Sequence, residues 1–230
     1  MCGRFNLIDS PEVQWLCKSL GVELYDEHTR GDIAPGGGIA IVHERAGERV
    51  VSIATWWLFL DNKTLKPNYK YASFNSRSDK LSSKQALAYK PFRESRCLIP
   101  ASAFIEGLGD KKTYHKIELE DSAIAFGGLF KEYLNKESGK VIYSASIITL
   151  PPLSPQWDEI HPKSLPLMID FEDQDVVSRW LDPSNQDVEQ FEALLEPTVL
   201  KPMKVTKIDK PSRWNPIEES FMIMKESQIP

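Results

Sequence analysis

The sequence has few cysteines and no long apolar segment. Three cysteines among 230 residues cannot close a disulfide framework, and none has a Cys or His neighbour at the spacing of zinc ligands. The longest apolar runs, such as residues 53–60, are far shorter than the ~20 residues of a membrane-spanning helix. The first twelve residues lack the positive start and apolar stretch of a secretory signal. We therefore expect a reduced cytoplasmic protein that binds neither a metal nor a membrane.

The chain also lacks the excess of positive charge that is typical of a dedicated nucleic-acid-binding protein. It has 28 Lys and Arg residues against 33 Asp and Glu residues, which gives a net charge of −5. The distribution is uneven, because residues 61–112 contain eleven basic and five acidic residues, and many acidic residues lie between 170 and 196. A basic middle is compatible with a polyanion held at one face, and equally with chance clustering on a solvated surface.

The length and the 41% hydrophobic fraction indicate an ordinary globular chain. No repeat or long linker divides it. We expect a single domain over residues 1–230, with an acidic, helical C-terminal part from about residue 170.

Local signals predict one well-delimited helix near the start of the chain. Ser10 suits the N-cap, Pro11 suits the first turn, and Gly21 follows the last apolar position. Cys17 lies within this helix, where a small buried side chain is expected. The Gly36–Gly38 triplet lacks a following Lys-Ser/Thr and precedes a strand, so it predicts a turn and not a phosphate loop.

The middle of the chain is rich in β-branched and aromatic residues. This composition predicts strands at residues 39–42, 49–60, 97–106, 114–119, 123–130 and 141–150, with a last strand at 204–208. Helices are predicted at residues 78–89, 173–181 and 187–195. Because βαβ alternation is missing, we expect an α+β protein with a mostly antiparallel, barrel-like β core flanked by helices.

Cys2 carries the most informative chemistry. Removal of Met1, which a small second residue permits, would leave a thiol and a free α-amine on one residue. The amine has a pKa of about 7.7–8.0, so part of it is neutral at pH 7 and can attack an aldehyde to form a Schiff base. The thiolate can then add to the imine and close a thiazolidine, which tethering favours. A frayed terminus with an unremarkable Cys2 is the alternative.

Several segments in order resemble the SOS-response-associated peptidase (SRAP) family, the abasic-site processing proteins. They begin with Cys2-Gly3-Arg4-Phe5 and continue with IAP (33–35), FNSRSD (74–79), RCLIPASAFIEG (96–107), AFGGLF (125–130), SIIT (146–149), IH (160–161) and LPLM (165–168). The corresponding family patterns are N-x-A-P, N-A-R-x-E, R-C-L-I-P-x-x-G-F-Y-E-W, A-G-L-W and T-x-x-A…H-x-R-M-P-V-I-L. Together the segments span nearly three-quarters of the chain.

The resemblance implies a protein of the DNA-damage (SOS) response. Family members bind abasic sites in single-stranded DNA and link the N-terminal cysteine to the ring-opened sugar as a thiazolidine, which shields the lesion. The chemistry is lyase-like, needs no cofactor or metal, and follows a Met1 removal thought to be autocatalytic. The expected partner is abasic single-stranded DNA, and the expected state is a monomer in the cytoplasm, associated with the nucleoid when on DNA.

The resemblance also assigns site residues. Cys2 would be the nucleophile. Asn75 could hydrogen-bond to the sugar, and Arg4 and Arg77 could grip phosphates without reading sequence. For Asn75 and Arg77, a turn position and a surface charge are the structural alternatives.

Glu106 and His161 are the expected proton carriers. Glu106 stands among apolar residues, so partial burial would raise its pKa towards a useful range. His161 titrates near neutrality and could protonate the ring oxygen or polarise the imine. A paired structural carboxylate and a loop-capping histidine are the alternatives.

The remaining polar and aromatic candidates receive simpler predictions. Cys97 is expected in the core. The residues Trp56, Trp57 and Phe59 are expected in the core rather than in a base-stacking platform. The other histidines, His28, His43 and His115, have no motif around them and are expected to be exposed.

The chain departs from the family pattern at several places. His161 is followed by Pro-Lys-Ser instead of an acidic-Arg-Met run, and Gly107 stands in place of a Trp. Asp79 stands where Glu is usual, and W-G-L-x-P-x-W has become WWLFL (56–60). We therefore expect a DNA-facing wall and a His161 loop that differ in shape from the family pattern.

Two other functions compete. An N-terminal-nucleophile cysteine amidohydrolase or glutamine amidotransferase also exposes a Cys-Gly terminus, but such enzymes usually carry an Asn-Gly pair, which this sequence lacks. A noncatalytic single-strand-binding module would leave Cys2 incidental.

Overall fold

A computed structural model describes residues 3–24 and 31–225. The predicted sites Cys2 and His28 lie outside these residues. The strands are β1 Phe5–Leu7, β2 Gly31–Ile33, β3 Gly38–Arg45, β4 Glu48–Trp56, β5 Asn75–Arg77, β6 Arg96–Ala101, β7 Ala103–Gly107, β8 Tyr114–Leu119, β9 Ile124–Leu134, β10 Val141–Leu150, β11 Leu165–Pro166, β12 Met203–Ile208 and β13 Phe221–Ile223. The α-helices are α1 Pro11–Leu20, α2 Tyr89–Glu94 and α3 Gln174–Leu181. Two 3₁₀ segments cover Ser78–Lys80 and Glu189–Leu195.

Five strands close into a barrel. The ring runs β3–β4–β10–β9–β6 and returns to β3. All of its pairings are antiparallel except β4–β10, and the short β5 also pairs in parallel with β10. The interior is tight at Gly128, where a Cβ atom would lie 2.7 Å from Ile99 Cδ1 and 3.0 Å from Cys97 Sγ. The expected barrel-like, mostly antiparallel core is thereby confirmed.

The short β11 pairs antiparallel with β10. The remaining six strands form an antiparallel sheet in the order β13–β12–β8–β7–β1–β2. This sheet packs on the barrel through large side chains. The Phe5 ring lies 4.9 Å from Trp56 and 5.9 Å from Phe126, measured between ring centroids. The N-terminal strand β1 is therefore held both by its neighbours in the sheet and by the apolar layer beneath it.

The capping signals of α1 act as predicted. The Ser10 hydroxyl accepts a hydrogen bond from Val13 N, and Gly21 adopts the left-handed conformation just after the helix. Cys17 is half-buried, as a partly buried neighbour of the core and not a fully enclosed residue. The predicted turn forms at residues 35–37, and Gly38 is the first residue of β3.

Two predicted strands differ in extent from those of the structure. The run at residues 97–106 divides at Ser102 into β6 of the barrel and β7 of the other sheet. The Ser102 N–H donates to Asn6 O, and its hydroxyl accepts from Ile8 N, so Ser102 is bonded to β1 and its flank rather than lying in a continuous strand. The run at 49–60 ends at Trp56, because Trp57 N turns back to Thr55 O.

The predicted helix at residues 78–89 is wrong. Only a 3₁₀ turn forms there, followed by turns up to α2. Ser82 and Ser83 offer the backbone competing hydrogen bonds, and the helix starts only shortly before Pro91, which suits a first turn. The segment predicted at 187–195 is a 3₁₀ helix, whereas α3 and β12 lie where the sequence predicts them.

The core predictions hold for three of four residues. Cys97, Trp56 and Trp57 are all buried, whereas Phe59 is only half-buried. No helix in the described part of the chain is long and apolar enough to cross a membrane.

The prediction of exposed histidines is wrong for two of them, because His43 and His115 are both buried. His43 packs between the rings of Phe130 and Tyr143 in the barrel. His115 lies on β8 and is buried by strand pairing, which no local motif could indicate.

Arg96 does not belong to a basic surface, although it lies within the basic middle of the sequence. It is 2% exposed, and burial lowers the pKa of its guanidinium to about 10. The guanidinium donates at 2.7–2.9 Å to five backbone carbonyls, those of Phe92, Arg93, Trp180, Asp182 and Asn185. It therefore joins α2, α3 and the turn after α3 to the start of β6.

Candidate functional site

The structure brings two of the predicted site residues into contact. Glu106 on β7 is 1% exposed, and its Oε2 lies 3.6 Å from Nδ1 of His161. His161 Nδ1 also lies 2.6 Å from Gly107 O, which it approaches as a donor. With its proton on Nδ1, the neutral ring carries its lone pair on Nε2. The pair is a carboxyl and an imidazole held side by side in a site that is largely closed to water.

The His161 loop is fixed by a buried tryptophan. The Trp157 carbonyl accepts the N–H of His161 at 2.9 Å, and Trp157 Nε1 donates to Ser164 O at 2.9 Å. The Trp157 side chain is fully buried and lies against the ring of Phe104 on β7. The loop can therefore hold the imidazole against Glu106 without a regular secondary element.

Burial governs the protonation of this pair. It raises the pKa of Glu106 to about 7, because a carboxylate loses its hydration there. Burial also lowers the pKa of His161, an effect that the hydrogen bond to Gly107 opposes. At neutral pH Glu106 is thus divided between acid and carboxylate, whereas His161 is mainly neutral.

The N-terminal strand runs alongside Glu106. In the β1–β7 register Phe5 pairs with Phe104, and the N–H of Ile105 donates to Arg4 O at 2.9 Å. Continuing this register places Gly3 opposite Glu106. Gly3 is the residue to which Cys2 is bonded, while Cys2 itself lies outside the described residues.

The two predicted phosphate ligands each contact a carboxylate. Arg4 is ion-paired with Asp32. Arg77 donates from Nε and Nη2 to the two carboxylate oxygens of Asp79, at 2.9 and 2.7 Å, and both side chains are exposed. Exposed pairs of this kind contribute about 0–1 kcal/mol, so an anion can displace the carboxylate at little cost.

Asn75 and Arg77 lie on β5, which is hydrogen-bonded in parallel to β10. Asn75 is opposite Ile147, and Arg77 is opposite Thr149. Asn75 is half-buried, whereas Arg77 is exposed. The structure thus puts these two side chains on one short strand at the barrel's edge, but in a different sheet from Glu106.

A cavity of about 580 Å³ joins Arg77 to the His161 loop. Lys163 and the hydroxyl residues Thr149 and Ser164 line it. Both hydroxyl groups are buried, and neither has a hydrogen-bond partner in the part of the chain that the structure describes. None of these three residues was expected from the sequence, where the available signal was the position of Lys163 two residues after His161.

A second, shallower depression of about 430 Å³ lies on the other side of Arg77 and Asn75. Tyr71, Lys70 and Lys80 line it, and nearby Tyr69 is 76% exposed. Exposed aromatic rings between lysines are typical of surfaces on which nucleobases stack. These tyrosines, which carry no family motif, are exposed, whereas Trp56 and Trp57 are buried.

A metal site is not evident in this neighbourhood. Within residues 3–24 and 31–225, no three His, Cys, Asp or Glu side chains are grouped closely enough to hold an ion. The Glu106–His161 pair offers this neighbourhood two titratable groups for proton transfer.

This combination defines a class of protein: an α+β fold of one barrel and one antiparallel sheet, with a buried carboxyl–imidazole pair next to the N-terminal strand and basic cavities at the barrel's edge. The chain belongs to the SOS response associated peptidase (SRAP) family, whose model matches residues 1–211.

Curated relatives include two proteins of Bacillus subtilis strain 168. The abasic site processing protein YoqW is 28% identical over 206 residues, covering 86% of this chain and 87% of that protein. The abasic site processing protein YobE is also 28% identical over 206 residues, covering 86% and 89%.

Solved structures share the fold. A crystal structure of a Bordetella bronchiseptica protein matches with a TM-score of 0.69 at 16% identity, covering 91% of this chain and 100% of that one. A Bacteroides thetaiotaomicron protein matches with a TM-score of 0.65 at 20% identity, covering 91% and 93%.

Proposed function

We propose that this protein captures abasic sites in single-stranded DNA by forming a thiazolidine between Cys2 and the ring-opened sugar, after Met1 is removed. Membership of the SRAP family and the names of the Bacillus relatives support the substrate. The observation that carries the chemistry is the buried Glu106–His161 pair beside β1, which begins three residues after Cys2.

The proposed reaction has two bond-forming steps. The neutral α-amine of Cys2 adds to the C1 aldehyde, and the resulting carbinolamine loses its hydroxyl as water to give an imine. The Cys2 sulfur then adds to the imine carbon, and the nitrogen takes up a proton. The net change is the loss of one water, with no change in oxidation state, and no metal or organic cofactor is required.

The site suits a division of roles between the two proton carriers. Glu106, with a pKa of about 7, can protonate the departing hydroxyl at neutral pH. His161 has a lowered pKa and its Nδ1 proton directed at Gly107 O, so its Nε2 suits a proton acceptor from the thiol or amine. Glu106 thereby takes the acid role and His161 becomes a base, in contrast to the acid role that the ordinary pKa of histidine suggests.

The cavities around β5 suit a nucleic-acid strand. Arg77 and Lys163 line one cavity and can together neutralise a phosphate there. On the other side of Arg77, exposed tyrosine rings can stack on neighbouring bases. These interactions do not distinguish one base from another, which is appropriate for a lesion as ligand.

The remaining expectations complete the proposal. Asn75 would hydrogen-bond to the sugar, Arg4 would contact a phosphate, and Met1 removal would be autocatalytic. The protein would act as a monomeric single SRAP domain in the cytoplasm, on the nucleoid when bound to DNA, with its acidic part from about residue 170 as a solvated shell.

The decisive experiment mixes purified protein with a single-stranded oligonucleotide that carries one abasic site. Products are separated on a denaturing gel beside the Cys2→Ala variant and an undamaged oligonucleotide, after mass spectrometry has established that the chain starts at Cys2. We expect an SDS- and heat-resistant band only with the unaltered protein and the abasic strand.

Absence of that band would overturn the proposal. Hydrolysis of glutamine or a peptide by the same preparation would then favour the amidohydrolase. Equal binding of damaged and undamaged strands, unchanged by Cys2→Ala, would favour the noncatalytic module.

A further inference from the structure

A second histidine lies next to Glu106 on the sheet. In the β7–β8 register, Glu106 pairs directly with His115. Directly opposed residues of an antiparallel pair project from the same face, with Cβ atoms about 4.5–5.5 Å apart. A glutamate and a histidine at that separation can be joined through one water molecule.

His115 is placed on the core side of the sheet. Two residues further along each strand, Phe104 of β7 pairs with Ile117 of β8 on the same face of the sheet, and both are completely buried. His115 itself is only 6% exposed. Its Nδ1 is enclosed and has no hydrogen-bond partner among the described residues. A buried, unpartnered ring nitrogen beside a buried carboxyl is costly unless it interacts with something during function.

The charged neighbours of His115 come from the next strand. On β12, Lys207 pairs with His115 in the register, and its ammonium group is ion-paired with Glu218. Glu106, His115 and Lys207 thus form a row across three strands. The Lys207 and Glu218 side chains are 33% and 57% exposed, so water reaches the Lys207 end of this row. Burial and the Lys207 charge lower the pKa of His115, whereas the Glu218 charge acts to raise it. On the far side of the row, Glu106 is in contact with His161.

We propose that His115 is a positioning residue that exchanges the proton of Glu106 with solvent from behind the site. The inference rests on the proposed function, in which DNA covers the face that Glu106 and His161 serve. With that face covered, the row from Glu106 through His115 to the water around Lys207 and Glu218 is the route by which the Glu106 carboxylate is reprotonated.

The transfer balances as a proton relay. When Glu106 has delivered its proton and stands as a carboxylate, the neutral His115 gives it the proton on Nδ1 and takes one from water at Nε2. In the reverse direction, Nδ1 accepts a proton from the carboxylic acid and Nε2–H releases one to water. No electron transfer and no further reactant is involved.

The first test does not depend on DNA. The ring nitrogens of His115 are followed by NMR as the pH is raised, in the full chain and in Glu106→Gln. We expect the His115 signals to show a step near pH 7, where Glu106 ionises, and the step to vanish in Glu106→Gln. His43, equally buried but in the barrel, is the internal control and should show no such step.

The second test measures the rate of covalent capture with abasic DNA in excess. His115→Gly should be slowed by about tenfold, and added imidazole should restore the rate. Pyrazole, which has the same ring size but is hardly basic, should not restore it. His43→Gly is the matched control, since it removes the same buried ring and should respond to neither compound.

The outcomes separate the two proposals. If the unaltered protein captures nothing, the proposed function fails, and the NMR titration still decides whether His115 senses Glu106. If capture occurs but the His115 signals have no step near pH 7, the relay is wrong. Should His115→Gly not fold, His115→Gln replaces it, and a rate for His115→Gln equal to the unaltered one overturns the inference.

Discussion

The carboxyl group of Glu106 has its pKa raised to about 7 because burial deprives the carboxylate of water. In the unfolded chain a glutamate titrates near 4.3. Between these values the folded protein holds a proton that the unfolded chain has released. The free energy of unfolding contributed by this group is therefore complete below about pH 4.3 and is lost as the pH rises to about 7.

Glu106→Gln removes this loss, because the amide does not ionise. Relative to the unaltered protein, the variant should gain stability on the order of 3 kcal/mol between pH 4 and pH 8. Urea unfolding at several pH values measures the difference. Glu159→Gln, at an exposed site, is the control and should show no such pH dependence. A constant difference between Glu106→Gln and the unaltered protein would contradict the raised pKa.

The same residue should shape the pH dependence of capture. If Glu106 acts as the acid, the rate falls as the pH rises above about 7, where the carboxyl ionises. In Glu106→Gln the rate should be lower by about 10²–10⁴ and should rise with pH as the α-amine becomes neutral, near pH 7.7–8.0. Single-turnover rates from pH 5 to 9 test this. A descending limb that persists in Glu106→Gln would assign that limb to another group.

At the scale of elements, Arg96 holds together parts of the chain that pack on the barrel from outside. Its guanidinium joins α2 and α3 to β6 through backbone carbonyls. A carboxylate partner is not needed, because five partially negative oxygens surround the charge. Trp180, whose carbonyl accepts from Arg96, is fully buried and donates from Nε1 to Cys97 O.

Arg96→Met should lower the free energy of unfolding by more than about 3 kcal/mol, because several buried carbonyls lose a charged donor. The stability of Arg96→Lys should lie between that of Arg96→Met and that of the unaltered protein, since an ammonium has three donors and no planar fork. Denaturant unfolding provides the measurement. Arg179→Met, on the exposed face of α3, is the matched control and should change stability by no more than about 0.5 kcal/mol. Equal effects at the two positions would show that the carbonyl hydrogen bonds contribute little.

For the whole molecule, the net charge of −5 is less important than the placement of the cations. Arg77 and Lys163 come from distant parts of the chain and meet at one cavity. Lys70 and Lys80 border the depression on the other side of Arg77. A strand of DNA would therefore meet a local positive surface on an acidic protein, with affinity that depends on salt.

Binding of abasic DNA to Cys2→Ala, which excludes covalent capture, should weaken steeply as salt rises. Adding Arg77→Ala or Lys163→Ala should reduce the slope of log K against log salt by about 0.7 for each phosphate that is no longer neutralised. Fluorescence anisotropy measures the slopes. Lys140→Ala is the control, because Lys140 precedes the start of β10, about 30 Å along the strand from Thr149. If neither Arg77→Ala nor Lys163→Ala changed the slope, whereas Lys140→Ala did, the DNA would bind elsewhere on the protein.

The elements that could be predicted from the sequence are those whose signals are local. The caps of α1, the turn before β3, and the strands β8, β10 and β12 follow from capping side chains, glycine conformation and β-branched runs, which act within a few residues. For the site, ordered motifs pointed to Glu106 and His161 together, and the structure places them in contact.

The remaining features arise only when the chain folds, because the forces involved join residues that are far apart in sequence. Ser102 divides one apolar run between two sheets through its hydrogen bonds beside β1, and Arg96 becomes a buried anchor when α3 supplies carbonyls to it. His115 has no motif and is buried beside Glu106 by strand pairing alone. Burial then sets the pKa values on which reactivity depends, and burial belongs to the folded chain and not to any segment of it.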